Sequence, residues 1–239
     1  CITAPIEPGP QVLPGNYPDE WFYYMAASEP VVIQDPLCQV DPGDIMVESA
    51  VEAAFFGPVV PGGGMTFGRQ RIVIRGGLCP GTEYLVTHPY GQTMVVTNDA
   101  GGVKPSPGTT DIGCVAEPCD FTLAIASPVF EGFLEQVSHP AGVLGDPLTP
   151  TKVTGSPYTD PRSGQPANFV LIERLDQAGQ PDAVLGFSDL FGVTGRLAGP
   201  IVASPTSLDF GASEAGLLPG PATKNVTFTN TGIADVTLD

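Results

Sequence analysis

Five cysteines and two histidines carry most of the chemistry open to this 239-residue chain. Cys1, Cys38, Cys79, Cys114 and Cys119 form no CxxC pair and no CxxCH haem-attachment motif, and two histidines do not complete a zinc set. Cys114 and Cys119 bracket Val-Ala-Glu-Pro, a loop short enough for a local disulfide, and read as a staple rather than a redox pair. Cys38 could pair with Cys79 or with Cys1, which leaves one cysteine free or bonded outside the chain. Cys1 also stands where a lipidated first cysteine would, yet Ile2-Thr-Ala-Pro5 is not the flexible polar tether that such an anchor needs.

His88, in Thr-His-Pro-Tyr-Gly, is the most conspicuous polar residue. As a general base it needs a nucleophile and an orienting acid. Ser188-Asp189 and Ser138-His139 offer pieces of such a set, but there is no Gly-x-Ser-x-Gly elbow. A histidine before proline at a strand end reads as a hydrogen-bonded turn residue, and so does His139. No catalytic residue is assigned and no enzyme is expected.

Calcium is the cofactor best suited to the loop carboxylates, with Asp41 and Asp44, Asp99, and Asp176 with Asp182 as candidates. None has EF-hand spacing, and each cluster reads first as an Asx turn. Gly62-Gly-Gly64 lacks the Lys-Ser/Thr of a phosphate loop. Lys152 and Lys224 are the candidates for an intramolecular isopeptide bond, and Asn225-Val-Thr227 fits a glycosylation sequon. Trp21, Tyr23, Tyr24 and Tyr90 are the stacking candidates if the chain binds a ligand; an exposed row would support that role and burial would remove it.

These residues sit in a chain with 26 acidic and 9 basic side chains, a formal net charge of −17. Charged residues are 15%, against roughly 25% in an average soluble protein, and only three are lysines. No basic stripe exists to neutralise phosphates, so nucleic acid is excluded as a partner and anionic membrane surfaces are disfavoured. Cations or a basic partner remain compatible. A hydrophobic share of 42% rules out global disorder, and no apolar run is long enough to insert in a membrane as a helix.

With 30 glycines and 27 prolines between period-two runs, the expected fold is all-β: a β-sandwich with Gly/Pro-rich loops. Trp21-Phe-Tyr-Tyr-Met25 reads as an aromatic strand. Residues 45–56 are ambiguous between strand and helix. Residues 65–75 alternate, with Phe67, Arg69, Arg71, Val73 and Arg75 on one face and the arginines solvated. Together with strands at 83–88 and 92–98, joined by Pro89-Tyr-Gly91, they suggest a three-strand meander. Residues 98–120 read as loop. Phe130, Phe133, Leu134 and Val137 suggest one short helix within 121–137, and strands resume at 168–174, 183–187 and 190–196. The first domain is placed at 1–198, with a break near 120–128 if it comprises two packed subdomains, and the second at 199–239.

After Leu197-Ala-Gly-Pro200 the order Ser204-Pro-Thr-Ser-Leu-Asp-Phe-Gly211, Asn225-Val-Thr-Phe-Thr-Asn-Thr-Gly232, Ala234-Asp-Val-Thr-Leu238 resembles the opening strands of the ASPM/SPD-2/Hydin-like, or choice-of-anchor D, immunoglobulin-like modules. That resemblance covers about the first 40% of such a module. Residues 1–198 are similar to an uncharacterised bacterial extracellular module at Pro18-Asp-Glu-Trp-Phe22, Thr87-His-Pro-Tyr-Gly91, Asp111-Ile-Gly113 and Val153-Thr-Gly-Ser-Pro157. The resemblances imply export and architecture, not chemistry. A partial immunoglobulin-like sandwich leaves strand edges open. Its remaining strands then come from chain beyond Asp239, from strand addition by a protein partner at 200–239, or from packing back on the first domain. The expectation is a non-catalytic, structural or adhesive module of a larger cell-surface or filament-associated protein; the alternative is a carbohydrate- or ligand-binding module of an exported multidomain protein.

Overall fold

The computed structural model describes residues 19–103, 108–116 and 118–196, and the backbone of two strands beyond them. The chain divides into two units, Cys1–Arg196 and Leu197–Asp239. The first holds β1 (Glu20–Ser28), β2 (Val31–Ile33), β3 (Gly43–Phe55), β4 (Gly64–Ile74), β5 (Glu83–His88), β6 (Gly91–Val96) and β7 (Thr109–Cys114). Two 3-10 turns, Phe121–Ala126 and Pro128–Glu131, precede β8 (Glu135–Gln136), β9 (Thr151–Thr154), β10 (Val170–Leu175), β11 (Pro181–Ser188) and β12 (Leu190–Gly195). In the second unit β13 (Ile201–Ser204) and β14 (Thr227–Asn230) pair antiparallel. The rest of the expected immunoglobulin-like opening lies outside the described residues. With 49% strand and 6% helical turn, the chain is all-β.

Among the described residues the first unit makes two antiparallel sheets. The larger runs β7-β4-β3-β1-β12-β9-β8, with β2 also on β3, and the smaller runs β11-β10-β5-β6. Period-two alternation aims Tyr24 and Ala26 of β1, Val47 and Val51 of β3, Ile72 and Ile74 of β4, and Phe191 and Val193 of β12 into one core. Tyr84, Val86, Val95, Val170 and Ile172 meet them from the smaller sheet. Each large side chain so buried contributes about 1.5–3 kcal/mol of transfer free energy.

Four expectations change. Residues 109–114, read as loop, form β7 against β4. Residues 45–56 are strand: β3 lies between β1 and β4, and Ser49 through Ala53 are buried whichever face they take. A strand covered on both faces loses the alternation by which strands are recognised. The meander does not form either. β4 pairs with β3 and β7, while β5 pairs with β6 and β10, so Gly76-Gly77 carries the chain from one sheet to the other. Gly77 has φ +84, and a Cβ there would meet backbone of Ile33 and Gly43. The helix in 121–137 is replaced by the two 3-10 turns and β8. Ser127, extended at the cap between them, and Pro128 interrupt any continuous helical ladder. Leu134 is buried while Val137 is largely exposed, so the apolar spacing does not form one face.

Gly68 of β4 shows how closely these turns pack. A Cβ at this position would run into the side chain of Ser127, which is itself buried. Gly68→Ala is expected to cost about 1–3 kcal/mol as overpacking, read as a lower urea midpoint at unchanged slope.

Candidate functional site

His88 ends β5, where the Pro89-Tyr90 turn leads into β6. Its Nδ1 accepts from the Tyr90 N–H at 3.3 Å, so the proton of the neutral ring sits on Nε2, which donates to Thr93 Oγ1 at 3.0 Å. Burial lowers the imidazole pKa from 6.5 to about 4. Neither partner is a carboxylate, and Ser188 and His139 are occupied elsewhere: Ser188 Oγ accepts from Leu190 N, and His139 contacts Pro140 O and Glu135. A serine–histidine–acid set does not assemble at His88 among the described residues.

The shifted titration has a sign that can be checked. Between pH 6.5 and about 4 the unfolded chain holds a proton at His88 that the folded protein does not. Stability is therefore full above pH 6.5 and is lost as pH falls toward 4, by up to about 3 kcal/mol. His88→Gln is expected to flatten that acid limb, and the His88 ring resonances should stay those of neutral imidazole down to about pH 4.

The aromatic candidates are corrected. Trp21, Tyr24 and Tyr90 are only 6%, 1% and 9% exposed, and Tyr23 is half-buried with its ring edge-on to Trp21. Tyr24 and Tyr90 meet hydroxyl to hydroxyl at 2.8 Å, and the Leu134 N–H donates to Tyr24 at 2.9 Å. These rings brace the core and present no stacking platform, because β1 points Tyr24 inward and bulges between Phe22 and Tyr24.

The carboxylates that matter most were not singled out by sequence. Asp35, fully buried after β2, accepts from the Tyr84 hydroxyl at 2.9 Å, from Arg174 at 3.0 Å and from the Leu37 N–H at 2.9 Å. Burial pushes the Tyr84 phenol up to about 12. Arg174 also takes both oxygens of Asp182. On the outer face of the larger sheet Arg69 bridges Glu52 at 2.8 Å and Asp111 at 2.7 Å, and Arg71 reaches Glu48 at 3.2 Å. The arginines of β4 are thus on the expected face but ion-paired, not simply solvated. Burial lifts the Glu52 carboxyl to about 7 despite Arg69, with Glu20 and Glu48 adding to the rise. That stability is present below pH 4.5 and lost through 7, opposite in sign to His88, so the His88→Gln comparison is needed to separate them. Arg162 holds buried Glu173 at 2.6 Å. The advance signal for Glu48 and Glu52 was their place on one face of residues 45–56, near a strand with arginines at 69 and 71.

The calcium candidates are dispersed or engaged. Asp41 is exposed, Asp44 pairs with Arg75, Asp182 with Arg174, and Asp176 accepts from Ala178 N and Gln180 N in the β10–β11 turn. Beside exposed Asp99, it is Asn98 that closes the Asx turn. No group of three or more His, Cys, Asp or Glu suited to a metal gathers among the described residues. Lys152 is exposed and paired with Asp189 at 2.9 Å; Lys224, Asn225 and Cys1 lie outside the described residues. Two disulfides form, Cys38–Cys79 and Cys114–Cys119, which resolves the choice of partner for Cys38.

Fold and side-chain networks together define a disulfide-cross-linked, two-sheet, all-β domain whose buried carboxylates Asp35, Glu52 and Glu173 are each paired with an arginine. No family model, curated protein or solved structure matches the chain.

Proposed function

We infer that the protein is a non-catalytic structural or adhesive module that works in an oxidising, extracellular or cell-surface setting, as part of a larger assembly. The observation that carries this reading is the pair of disulfides, which persist in exported proteins and are rare where thiols are kept reduced. The internal pairing of Asp35, Glu52, Glu173 and their arginines supports it, since these groups brace strands rather than face a substrate. No helix among the described residues is long and apolar enough to cross a membrane. Residues 200–239 belong to the same reading as the opening of an immunoglobulin-like repeat. The ligand-binding alternative loses its support with the burial of Trp21, Tyr24 and Tyr90.

The test is where the native protein sits and in which redox state. Antibodies against residues 19–196 are expected to label intact, unpermeabilised source cells or their extracellular material, and the captured protein to carry Cys38 and Cys79 oxidised. Cytoplasmic labelling with reduced cysteines would overturn the reading.

A further inference from the structure

Among the described residues the strand orders of the two sheets end at β7, β8, β6 and β11, β2 is a three-residue strand paired with β3 alone, and these edges are not defended alike. An open edge presents unpaired N–H and C=O groups, and proteins blunt such edges with charge, proline, bulges or shortness. β11 begins at Pro181, carries Asp182 and shifts register twice against β10. β8 is two residues long and includes Glu135. β7 carries Asp111, clamped by Arg69, and Gly113 at φ +146. β6 has none of these devices. Gly91-Gln-Thr-Met-Val-Val96 is uncharged and free of proline, and pairs with β5 without a register shift.

Its geometry suits an added strand. The Thr97 N–H bonds to Thr82 O, toward β5, so the alternation of the ladder turns the backbone groups of Gln92, Met94 and Val96 outward. No other backbone group takes them among the described residues. Met94 and Val96 are 49% and 56% exposed. Two hollows lie beside this edge, between β6 and the β4–β7 side of the sandwich. One, of about 220 Å³, is lined by Ile72, Val95 and Val103; the other, of about 170 Å³, by Tyr90, Ile112 and Val129. They share Thr93, Gln70 and Thr110, so they follow one another along the strand.

We propose that β6 is a docking edge for an extended, basic segment of another protein, which adds as a strand and seats apolar side chains at alternate positions in the two hollows. Main-chain bonds hold such a segment and the pockets select it. Charge decides the occupant. The chain carries −17, and the basic side chains Arg69, Arg71, Arg75, Arg162, Arg174 and Lys152 are all in internal ion pairs. A second copy brings the same negative field, whereas a segment with lysines or arginines is drawn to it. This deepens the function inferred above by naming its contact, and rests on it.

The experiment uses the full chain with synthetic peptides of alternating valine and threonine, ended at both termini by lysine or by glutamate. The lysine-ended peptide is expected to bind, with slowed hydrogen exchange at the amides of Gln92, Met94 and Val96 and not at β11. The glutamate-ended peptide should bind more weakly. Met94→Pro removes an outward N–H without touching the β5 ladder and is expected to weaken binding about tenfold or more, with the thermal transition retained. Val96→Lys, which adds a charge to the edge and keeps the backbone, serves if the proline variant does not fold. No protection at β6, equal protection at other edges, or binding unchanged in the folded variants would overturn the proposal. So would protection without peptide accompanied by a concentration-dependent dimer in sedimentation, which would make the occupant a second copy. Failure here with surface labelling intact removes only the β6 contact; cytoplasmic labelling removes the functional reading itself.

Discussion

Asp35→Ala is expected to lower stability by about 3–5 kcal/mol, the range for removing one partner of a buried ion pair. The side chain is fully buried, and its two oxygens serve three donors on different segments: Leu37 N–H, Arg174 and the Tyr84 hydroxyl. Alanine leaves the phenol and the amide without their acceptor and returns Arg174 to Asp182 alone. In a domain of this size the loss corresponds to a fall of about 10 °C in the thermal midpoint. Asp35→Asn keeps one oxygen acceptor and should fall between alanine and the native residue. The decisive measurement is a double-mutant cycle with Arg174→Met under urea denaturation. Coupling near zero between the two sites would show that Asp35 acts through its neutral donors alone.

Removing the Cys38–Cys79 bridge with paired serine substitutions should cost about 4 kcal/mol, and removing Cys114–Cys119 about 2 kcal/mol, as loop-closure entropy scales with the enclosed segment. The bridges span 41 and 5 residues of sequence. The larger one is also wired to Asp35. The Cys79 N–H donates to the Tyr84 hydroxyl at 2.9 Å, and the Cys38 N–H to Asp35 O at 3.4 Å. Its loss and that of Asp35 should therefore be non-additive, while the Cys114–Cys119 variant should add independently. Equal losses from the two bridges, measured by urea denaturation of each serine pair against the oxidised parent, would contradict the chain-entropy account.

What could be read in advance depended on whether the residue types themselves carry the signal. β4 was legible because polar and apolar residues alternate from Met65 to Arg75, and the β5–β6 turn because Pro89 and Gly91 punctuate it. The short disulfide loop was legible from spacing alone. β3 was not, since Ala50, Ala53 and Glu52 are buried by neighbours on both sides, and burial of this kind is tertiary information. For the same reason Asp35, Glu52 and Glu173 looked like surface acids: a carboxylate in a sequence does not reveal which arginine, 139 residues away in the case of Asp35 and Arg174, will neutralise it. The stacking candidates failed in the opposite direction. Three aromatics in one strand and a fourth at a turn suggest a platform if exposed, but a large ring in a two-layer sandwich fills the core first.

The antiparallel pairing of β1 with β12 has a mechanical consequence. Tyr24 lies opposite Gly195, so the first and last strands of the domain meet at neighbouring ends. Tension applied through those ends opens the β1–β12 ladder like a zipper, one rung after another, rather than shearing all its rungs at once. Under load the domain yields early and serially. The covalent clasp from Cys38 to Cys79 then withholds its enclosed segment from extension, about 140 Å of chain at full stretch. In a pulling experiment the oxidised protein would stop short of the full contour length by that enclosed segment, and reduction would add it back.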